Sequence, residues 1–200
     1  MTGVPAPTVT APFAELSPPY ATIVADPPWP YPEGWPSWGP NHEQRRALPY
    51  SPMTLAEIGA LPVNALADRE GYLFLWTTNR YLRSAFDVLD AWGFTYRQTV
   101  VWCKDPVGQG PGGMFAQTTE HVLIGQNISP RSHARGKRTT GDRQPTSWFR
   151  WPRGAHSEKP AAFLDVVEQV APGPYLELFA RQPRLGWDSW GHGYEIGGPR

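Results

Sequence analysis

The sequence has very little cysteine, no excess of either charge and no long apolar run. Its 200 residues contain one cysteine, Cys103, which excludes an internal disulfide and a metal site built from several cysteines. Lysine plus arginine and aspartate plus glutamate both number 18, so a polyanionic partner would have to bind a local surface. No stretch approaches the roughly 18 apolar residues that cross a bilayer, and no signal-peptide pattern opens the chain. We therefore expect a soluble, cytoplasmic protein with no membrane partner.

Proline and tryptophan are abundant, at 24 and 10 residues. Proline at this density shapes loops, and tryptophan outside regular elements offers flat faces for stacking. A biased composition with ordinary core tryptophans would explain the same counts. The length suits one domain that buries a sizeable core. We predict an irregular lead-in over residues 1–19, a single domain over 20–196 and a tail over 197–200.

Short apolar runs alternate with amphipathic segments along the chain. The pattern predicts strands at 21–25, 71–79, 94–104, 120–125 and 175–180, and helices at 55–61, 80–93 and 160–170. Thr54 and Glu57 form a capping-box signature at the start of the first helix. Because the strands are apolar throughout and alternate with helices, we predict an α/β fold: a mostly parallel, Rossmann-like sheet with helices on both faces.

Ligands of such a sheet bind at the carboxyl ends of its strands, near the point where the strand order reverses. Asp26, Asn79 and Arg181 each stand just past a predicted strand. We therefore expect these three polar side chains to share one edge of the sheet. Their position alone does not define a reaction.

The first predicted strand ends in Asp26, Pro27, Pro28 and Trp29, within "ATIVADPPW". An aromatic amine such as that of adenine is a poor nucleophile, because its lone pair is delocalised into the ring. Two acceptors aimed at its hydrogens direct that lone pair at an electrophile, each bond contributing roughly 1 to 3 kcal/mol. The Asp26 carboxylate and the Pro27 carbonyl can be those acceptors, since Pro28 has no N–H and biases Pro27 to an extended conformation. With Trp29 stacked on the base, the tetrapeptide suits an amine clamp; the alternative is a proline-rich turn without chemistry.

A basic stretch lies between Gln126 and Arg153, with seven lysines and arginines against one acid. Three aromatic residues are interleaved with these cations: Trp148, Phe149 and Trp151. We interpret the stretch as a loop suited to phosphate contact and base stacking. A solvated loop without a ligand is the alternative. The candidate substrate-binding cations are Arg131, Arg135, Lys137 and Arg138.

The sequence resembles the MT-A70 family, which is named for the catalytic subunit of mRNA adenosine methyltransferase. "IVADPPW" is similar to the family's catalytic motif. Further segments follow in the family's order: "LPYSPMTLAEI" (48–58), "YLFLWTTNR" (72–80), "AWGFTYRQTVVWCK" (91–104), "EHVLIG" (120–125), "HSEKP" (156–160), "LELFAR" (176–181) and "GWDSWG" (186–191). The resemblance implies a Rossmann-like methyltransferase that moves the methyl group of S-adenosyl-L-methionine to the exocyclic nitrogen of adenine, with no metal.

The resemblance also implies roles for individual residues. Asp26 to Trp29 would hold the target amine, with Asp26 also near the methyl donor. The implied cofactor-binding positions are Lys159, Glu177, Phe179, Arg181, Gln182, Arg184 and His192. Tyr31, Trp35 and Trp38 would enclose the base, and Asn79 would contact the substrate.

Two departures from the family pattern fall on the cofactor side. The family often has an acid about 18 residues before the catalytic aspartate, and the region near Thr8 has none. His192 follows Gly191 where the family commonly has asparagine. We expect DNA as the substrate, because no RNA-binding module is visible. RNA is the alternative, and a catalytically weak nucleic-acid-binding partner subunit is a third reading. The sequence leaves a homo-oligomer or a partner subunit open.

Overall fold

A computed structural model describes residues 12–31, 52–105, 114–128, 145–154 and 158–191. The strands are β1 (Tyr20–Ala25), β2 (Ala67–Thr78), β3 (Thr95–Asp105), β4 (Thr119–Gln126), β5 (Trp148–Pro152), β6 (Tyr175–Leu178) and β7 (Trp187–Trp190). The helices are α1 (Leu55–Gly59), α2 (Leu82–Ala91) and α3 (Ala162–Val170), with a 3₁₀ turn at Val63–Leu66. Within the described residues, no helix is long and apolar enough to cross a bilayer.

The seven strands form one sheet in the order β5-β3-β4-β2-β1-β6-β7. β1 pairs in parallel with β2 and β6, and the pairs β6 with β7 and β3 with β5 are also parallel. β4 runs antiparallel to both β2 and β3. The sheet is therefore mixed, and the expected parallel order holds for every strand except β4. We call the edge where β1 ends and β4 begins the site edge.

Two apolar clusters cover the two faces of this sheet. Because side chains alternate along a strand, Ile23 and Val24 of β1 point to opposite faces. Ile23 belongs to the cluster that contains Leu89 of α2, and Val24 belongs to the cluster that contains Phe163 of α3. Helices thus pack on both sides, as the sequence predicted, and the site edge is held between them.

The predicted elements are found with small shifts in their ends. Thr54 and Glu57 form the predicted capping box, with both reciprocal hydrogen bonds present. The sequence patterns did not predict β5 or β7, and the interpretation of 126–153 as a loop was wrong for 148–152, which forms β5. Within the predicted lead-in, Phe13 and Leu16 are buried in the core.

Candidate active site

The turn that follows β1 is fixed by main-chain hydrogen bonds. The Trp29 N–H donates to the Pro27 carbonyl at 2.8 Å, and the Met53 N–H donates to the Pro28 carbonyl at 2.9 Å. The sequence had suggested that the Pro27 carbonyl would be free for a substrate amine. One of its lone pairs is already used, because the chain folds back at Trp29, and one remains. Asp26 therefore projects from a rigid turn at the site edge.

Trp29 lies inside the protein and has a different contact from the one that the sequence suggested. Its side chain is 3% exposed, its ring stacks on Tyr81 with centroids 5.5 Å apart, and its Nε1–H donates to the Trp76 carbonyl at 3.2 Å. An indole packed in this way has no face left for a substrate base. In this conformation Trp29 anchors the turn that carries Asp26.

Tyr31 is half-buried next to the same turn. Its hydroxyl lies 2.8 Å from Thr78 Oγ1, and its ring meets Tyr81 edge to face. Burial raises the pKa of the Tyr31 phenol, so the hydroxyl is neutral near pH 7. Tyr31 is thus a neutral aromatic hydrogen-bonding group next to the turn, and the charges of Glu120 and Lys159 also act on its pKa.

A row of alternating charges crosses the site edge. Lys159 Nζ donates to Asp26 Oδ2 at 2.8 Å and lies 3.4 Å from Glu120 Oε2. Lys104 Nζ lies 2.5 Å from Glu120 Oε1. Lys159 and Asp26 were predicted site residues, whereas Glu120 and Lys104 were not. The four side chains form the row Lys104, Glu120, Lys159 and Asp26, which we call the charge row.

The surroundings of the charge row shift the pKa values of its two acids in opposite directions. Burial raises the pKa of Asp26, and the neighbouring Lys159 ammonium offsets part of this effect. Burial also acts to raise the pKa of Glu120, but Lys159 and Lys104 outweigh it and lower the pKa. Glu120 is therefore ionised at neutral pH with a cation on either side. Among the described residues, its Oε2 is a buried atom with no hydrogen-bond partner.

Two buried indoles lie under the cations of the row. Lys159 Nζ is 5.6 Å from the centroid of the Trp76 ring, and Lys104 Nζ is 5.0 Å from that of Trp102. The two indoles pack edge to face against each other. The face of an aromatic ring attracts a cation, so this floor stabilises both lysines in place.

On the other side of Asp26, the end of β6 carries three predicted cofactor-binding residues. Glu177 pairs in register with Val24 of β1 and Ser189 of β7. Burial, together with the Asp26 charge, raises the pKa of Glu177 to about 7. Phe179 has a φ of 63°, a left-handed conformation that is rare for an aromatic residue and is concentrated at functional sites. Arg181 is exposed, and its charge acts to lower the pKa of Asp26.

Arg184, a predicted cofactor-binding residue, contacts two acids of α3. Its guanidinium donates to Glu168 at 2.9 Å and to Asp165 at 2.6 Å, both on α3. The Trp187 Nε1–H donates to the same Glu168 oxygen at 2.7 Å. Arg184 thus ties the connection between β6 and β7 to α3. Gln182 is exposed on that connection.

Asn79 is likewise occupied by protein groups rather than directed to a substrate. Its amide nitrogen donates to the Thr119 carbonyl at 3.1 Å, and its Oδ1 lies 2.9 Å from His121 Nε2. These contacts join the end of β2 to the start of β4. The strand-end rule placed Asn79 at the correct edge but did not foresee that β4 would begin there and use its side chain.

Several predicted residues fall outside the described part of the chain. They are the aromatic residues Trp35 and Trp38, the cations Arg131, Arg135, Lys137 and Arg138, and His192. Within the ranges that the structure does describe, no three histidine, cysteine or acidic side chains are grouped as metal ligands.

Fold and site together define a doubly wound α/β domain, with an acid, two prolines and a tryptophan at the strand where the sheet order switches. A sequence model of the MT-A70 family matches residues 20–193. The chain belongs to the MT-A70 family of methyltransferases, as its motifs indicated.

Individual relatives give the same result. The chain is 31% identical over 189 residues to the type II methyltransferase M.MunI of Mycoplasma sp., covering 86% of this chain and 76% of that protein. It is 29% identical over 169 residues to the N(6)-adenosine-methyltransferase MT-A70-like protein of Drosophila melanogaster, covering 81% of this chain and 24% of that protein. For the human N(6)-adenosine-methyltransferase catalytic subunit METTL3, identity is 26% over 172 residues, 81% of this chain and 26% of that protein. The chain thus spans about a quarter of these two longer relatives.

Proposed function

We propose that this chain transfers the methyl group of S-adenosyl-L-methionine to the exocyclic amino group of adenine in DNA. The observation that carries the proposal is the Asp26 carboxylate, which a rigid turn and Lys159 hold at the site edge. Similarity to a type II methyltransferase, a class that modifies DNA, supports DNA as the substrate. The names of the other relatives support adenine as the base.

Asp26 orients the amine. Lys159 binds Oδ2, so the other carboxylate oxygen is the acceptor available to an amine hydrogen. The remaining lone pair of the Pro27 carbonyl is the second acceptor. A charged acceptor forms the stronger of the two bonds, so Asp26 contributes most to directing the nitrogen lone pair. After transfer the product nitrogen is acidic and loses its proton to Asp26 or to water.

The other residues of the site favour the ionised form of Asp26 and hold its side chain in position. Lys159 opposes the burial that raises the pKa of Asp26, which keeps the carboxylate able to accept a hydrogen bond. Glu120 and Lys104 in turn hold Lys159 from the opposite side.

A base removed from a duplex costs a few kcal/mol to extrude, so a single-stranded substrate avoids that cost.

The residues at the ends of β1 and β6 fit S-adenosyl-L-methionine. Asp26 and Glu177 repel each other strongly enough to help raise the pKa of Glu177 to about 7. A ligand that brings positive charge between them relieves this repulsion, and the cofactor carries a sulfonium and an ammonium group. Lys159 can pair with its carboxylate. When bound, the cofactor supplies the electrophilic methyl group.

The test is methylation of matched oligonucleotides. The protein is incubated with S-adenosyl-L-methionine and DNA or RNA strands of the same base sequence, which are then digested and analysed for methylated adenine by mass spectrometry. We expect product on DNA that Asp26→Ala abolishes. Product on RNA alone would make the chain an RNA adenosine methyltransferase, in keeping with the relatives named for adenosine. No product on any adenine substrate, with wild type and Asp26→Ala alike, would contradict the enzymatic role and favour a binding subunit.

A further inference from the structure

β5 is an edge strand whose two faces carry different side chains. Among the described strands it pairs with β3 alone, as the first strand in the sheet order. Side chains alternate along a strand, so Phe149 and Trp151 share one face, while Trp148 and Arg150 share the other. Trp151 packs at the border of the cluster that contains Phe163 of α3. The pair Phe149 and Trp151, which we call the aromatic ledge, therefore lies on the α3 side of the sheet.

The aromatic ledge is a stacked pair in which each ring covers one face of the other. The two rings stack with centroids 4.4 Å apart and an angle of 5° between their planes. The Trp102 Nε1–H donates to the Trp151 carbonyl at 3.1 Å, which fixes this part of β5 to β3. Stacked rings on an anchored strand lose little conformational freedom when a further ring binds.

A cavity of about 290 Å³ opens beside the ledge. Its lining includes Trp151 and Pro152 of β5, and Lys159 and Pro160 from the segment that precedes α3. Lys159 is the residue that donates to Asp26 at 2.8 Å, so the cavity and the candidate active site share a wall. Arg153 and the acid Glu158 also line the cavity, and both residues are exposed. The lining therefore combines an aromatic ring, two prolines and charges of both signs, and Lys159 connects it to the Asp26 carboxylate.

These features match one chemical class of ligand, a nucleobase attached to a phosphate backbone. An aromatic side chain such as Trp151 stacks on any base, and a cation such as Arg153 attracts a phosphate. We infer that this cavity binds the base next to the target adenine in the same strand, with that base stacked on the aromatic ledge. The inference rests on the proposed function, because it requires the target adenine to lie at Asp26. Lys159 then separates the two bases, facing the target on one side and its neighbour on the other.

The test measures binding without the methyl donor. The probe is a short fluorescein-labelled oligo-deoxythymidine strand with a single adenine, compared with strands in which the residue on either side of that adenine is abasic. Its oligouridine counterpart serves as the RNA arm. For wild type, we expect an abasic residue on one side to weaken binding about tenfold, as loss of one stacked base does, and on the other side to have little effect.

Trp151→Leu and Trp148→Leu form the matched pair of variants. Trp148 is 56% exposed on the opposite face of the same strand, so its loss removes an equally large ring away from the cavity. We expect Trp151→Leu to weaken binding of the intact strand about tenfold and to make it insensitive to the abasic residue, with Trp148→Leu unchanged from wild type. Equal sensitivity to the abasic residue in wild type and Trp151→Leu would overturn the inference, as would equal losses in the two variants. Phe149→Leu gives a second reading if Trp151→Leu does not fold, since it leaves the Trp151 ring in place.

The outcome is separable from that of the proposed function. A strand that binds with ledge-dependent affinity but is never methylated would contradict the enzymatic proposal and leave the cavity assignment standing. Methylation of DNA with no effect of the ledge on binding would do the reverse.

Discussion

Lys159 Nζ donates to Asp26 Oδ2 at 2.8 Å across 133 residues of sequence, which joins the residue that ends β1 to the segment that precedes α3. The side chains of both residues are about one-fifth exposed, at 20% and 22%. Such a pair is partly shielded from water, so its attraction is stronger than that of a surface ion pair, while removal of one partner leaves the other poorly solvated. The Asp26 carboxylate thus depends on a cation that is far away in the sequence.

Lys159→Met should move the acidic limb of the activity profile to higher pH. Burial then raises the pKa of Asp26 without the opposing ammonium, so the carboxylate loses its charge at a higher pH than in wild type. The measurement is the single-turnover methylation rate across pH. Lys159→Arg keeps the charge and is the control, with its limb expected near that of wild type. An unshifted limb in Lys159→Met would show that Asp26 does not titrate in the reaction.

Lys104→Met should destabilise the protein through Glu120, because it leaves a buried carboxylate with one cation instead of two. Loss of a whole buried partner costs about 3 to 5 kcal/mol, and since Lys159 remains we expect about 2 kcal/mol in the free energy of unfolding at neutral pH. Urea unfolding provides the measurement. The double variant Lys104→Met with Glu120→Gln should recover part of the loss. Additive effects of the two substitutions would mean that the pair is not coupled.

The stability loss in Lys104→Met should also depend on pH, and it should be smaller in acid. The native pKa of Glu120 is lowered below its ordinary value of 4.5, so the stabilisation is present above that pH and is lost as the pH falls through the native pKa. The difference in unfolding free energy between wild type and Lys104→Met should therefore shrink in acid. A difference that stays constant with pH would assign the effect to packing on Trp102.

Glu177→Gln should remove a pH dependence of the opposite sign. Because the native pKa is about 7 and the ordinary value is 4.5, the folded state keeps a proton that the unfolded state releases between these values. The stability contribution is complete below 4.5 and is lost as the pH rises towards about 7. Its upper bound is about 3 kcal/mol, by the conversion of a pKa shift into free energy. Urea unfolding without cofactor should show wild type losing stability across this range and Glu177→Gln losing less; parallel curves would contradict the assignment.

Arg184→Met and Arg181→Met should have different effects. Arg184 binds two acids of α3 that are 60% and 36% exposed, so its loss should lower stability by about 1 kcal/mol and leave cofactor affinity unchanged. The charge of Arg181 acts on Asp26, so replacing Arg181 should instead change the affinity for S-adenosyl-L-methionine. Thermal unfolding and calorimetric titration separate the two. Weakened cofactor binding in Arg184→Met alone would restore its first predicted role.

The sequence was sufficient to predict the central strands and both residues of the ion pair between Lys159 and Asp26. Ala21 to Ala25 is an apolar run that ends in a rigid Asp-Pro-Pro unit, so strand, turn and acid follow from local preferences, and Lys159 followed from the resemblance. Glu120 was within a quoted segment, "EHVLIG", yet was not identified. The rule that sites form at carboxyl ends assumes parallel strands, and Glu120 stands near the amino end of the antiparallel strand β4.

Contacts that depend on tertiary packing were also missed. Trp29 was expected to meet the substrate because it follows the acid, but the partner that covers it is Tyr81, 52 residues later in the sequence. β5 and β7 are short strands, at five and four residues, and both contain polar side chains that hide the period-two pattern. Such strands form because a neighbour supplies the hydrogen bonds, which is information that a local window does not contain.

The antiparallel direction of β4 determines where the length of a connection can vary without a change in the sheet. Since β3 ends and β4 begins at the site edge, the connection between Asp105 and Thr119 starts and ends on the same side of the sheet as Asp26. Both flanking strands are held in register by their own pairing, which does not depend on the length of that connection. The length of that connection can therefore change while Asp26, Lys159 and the sheet beneath them stay in place.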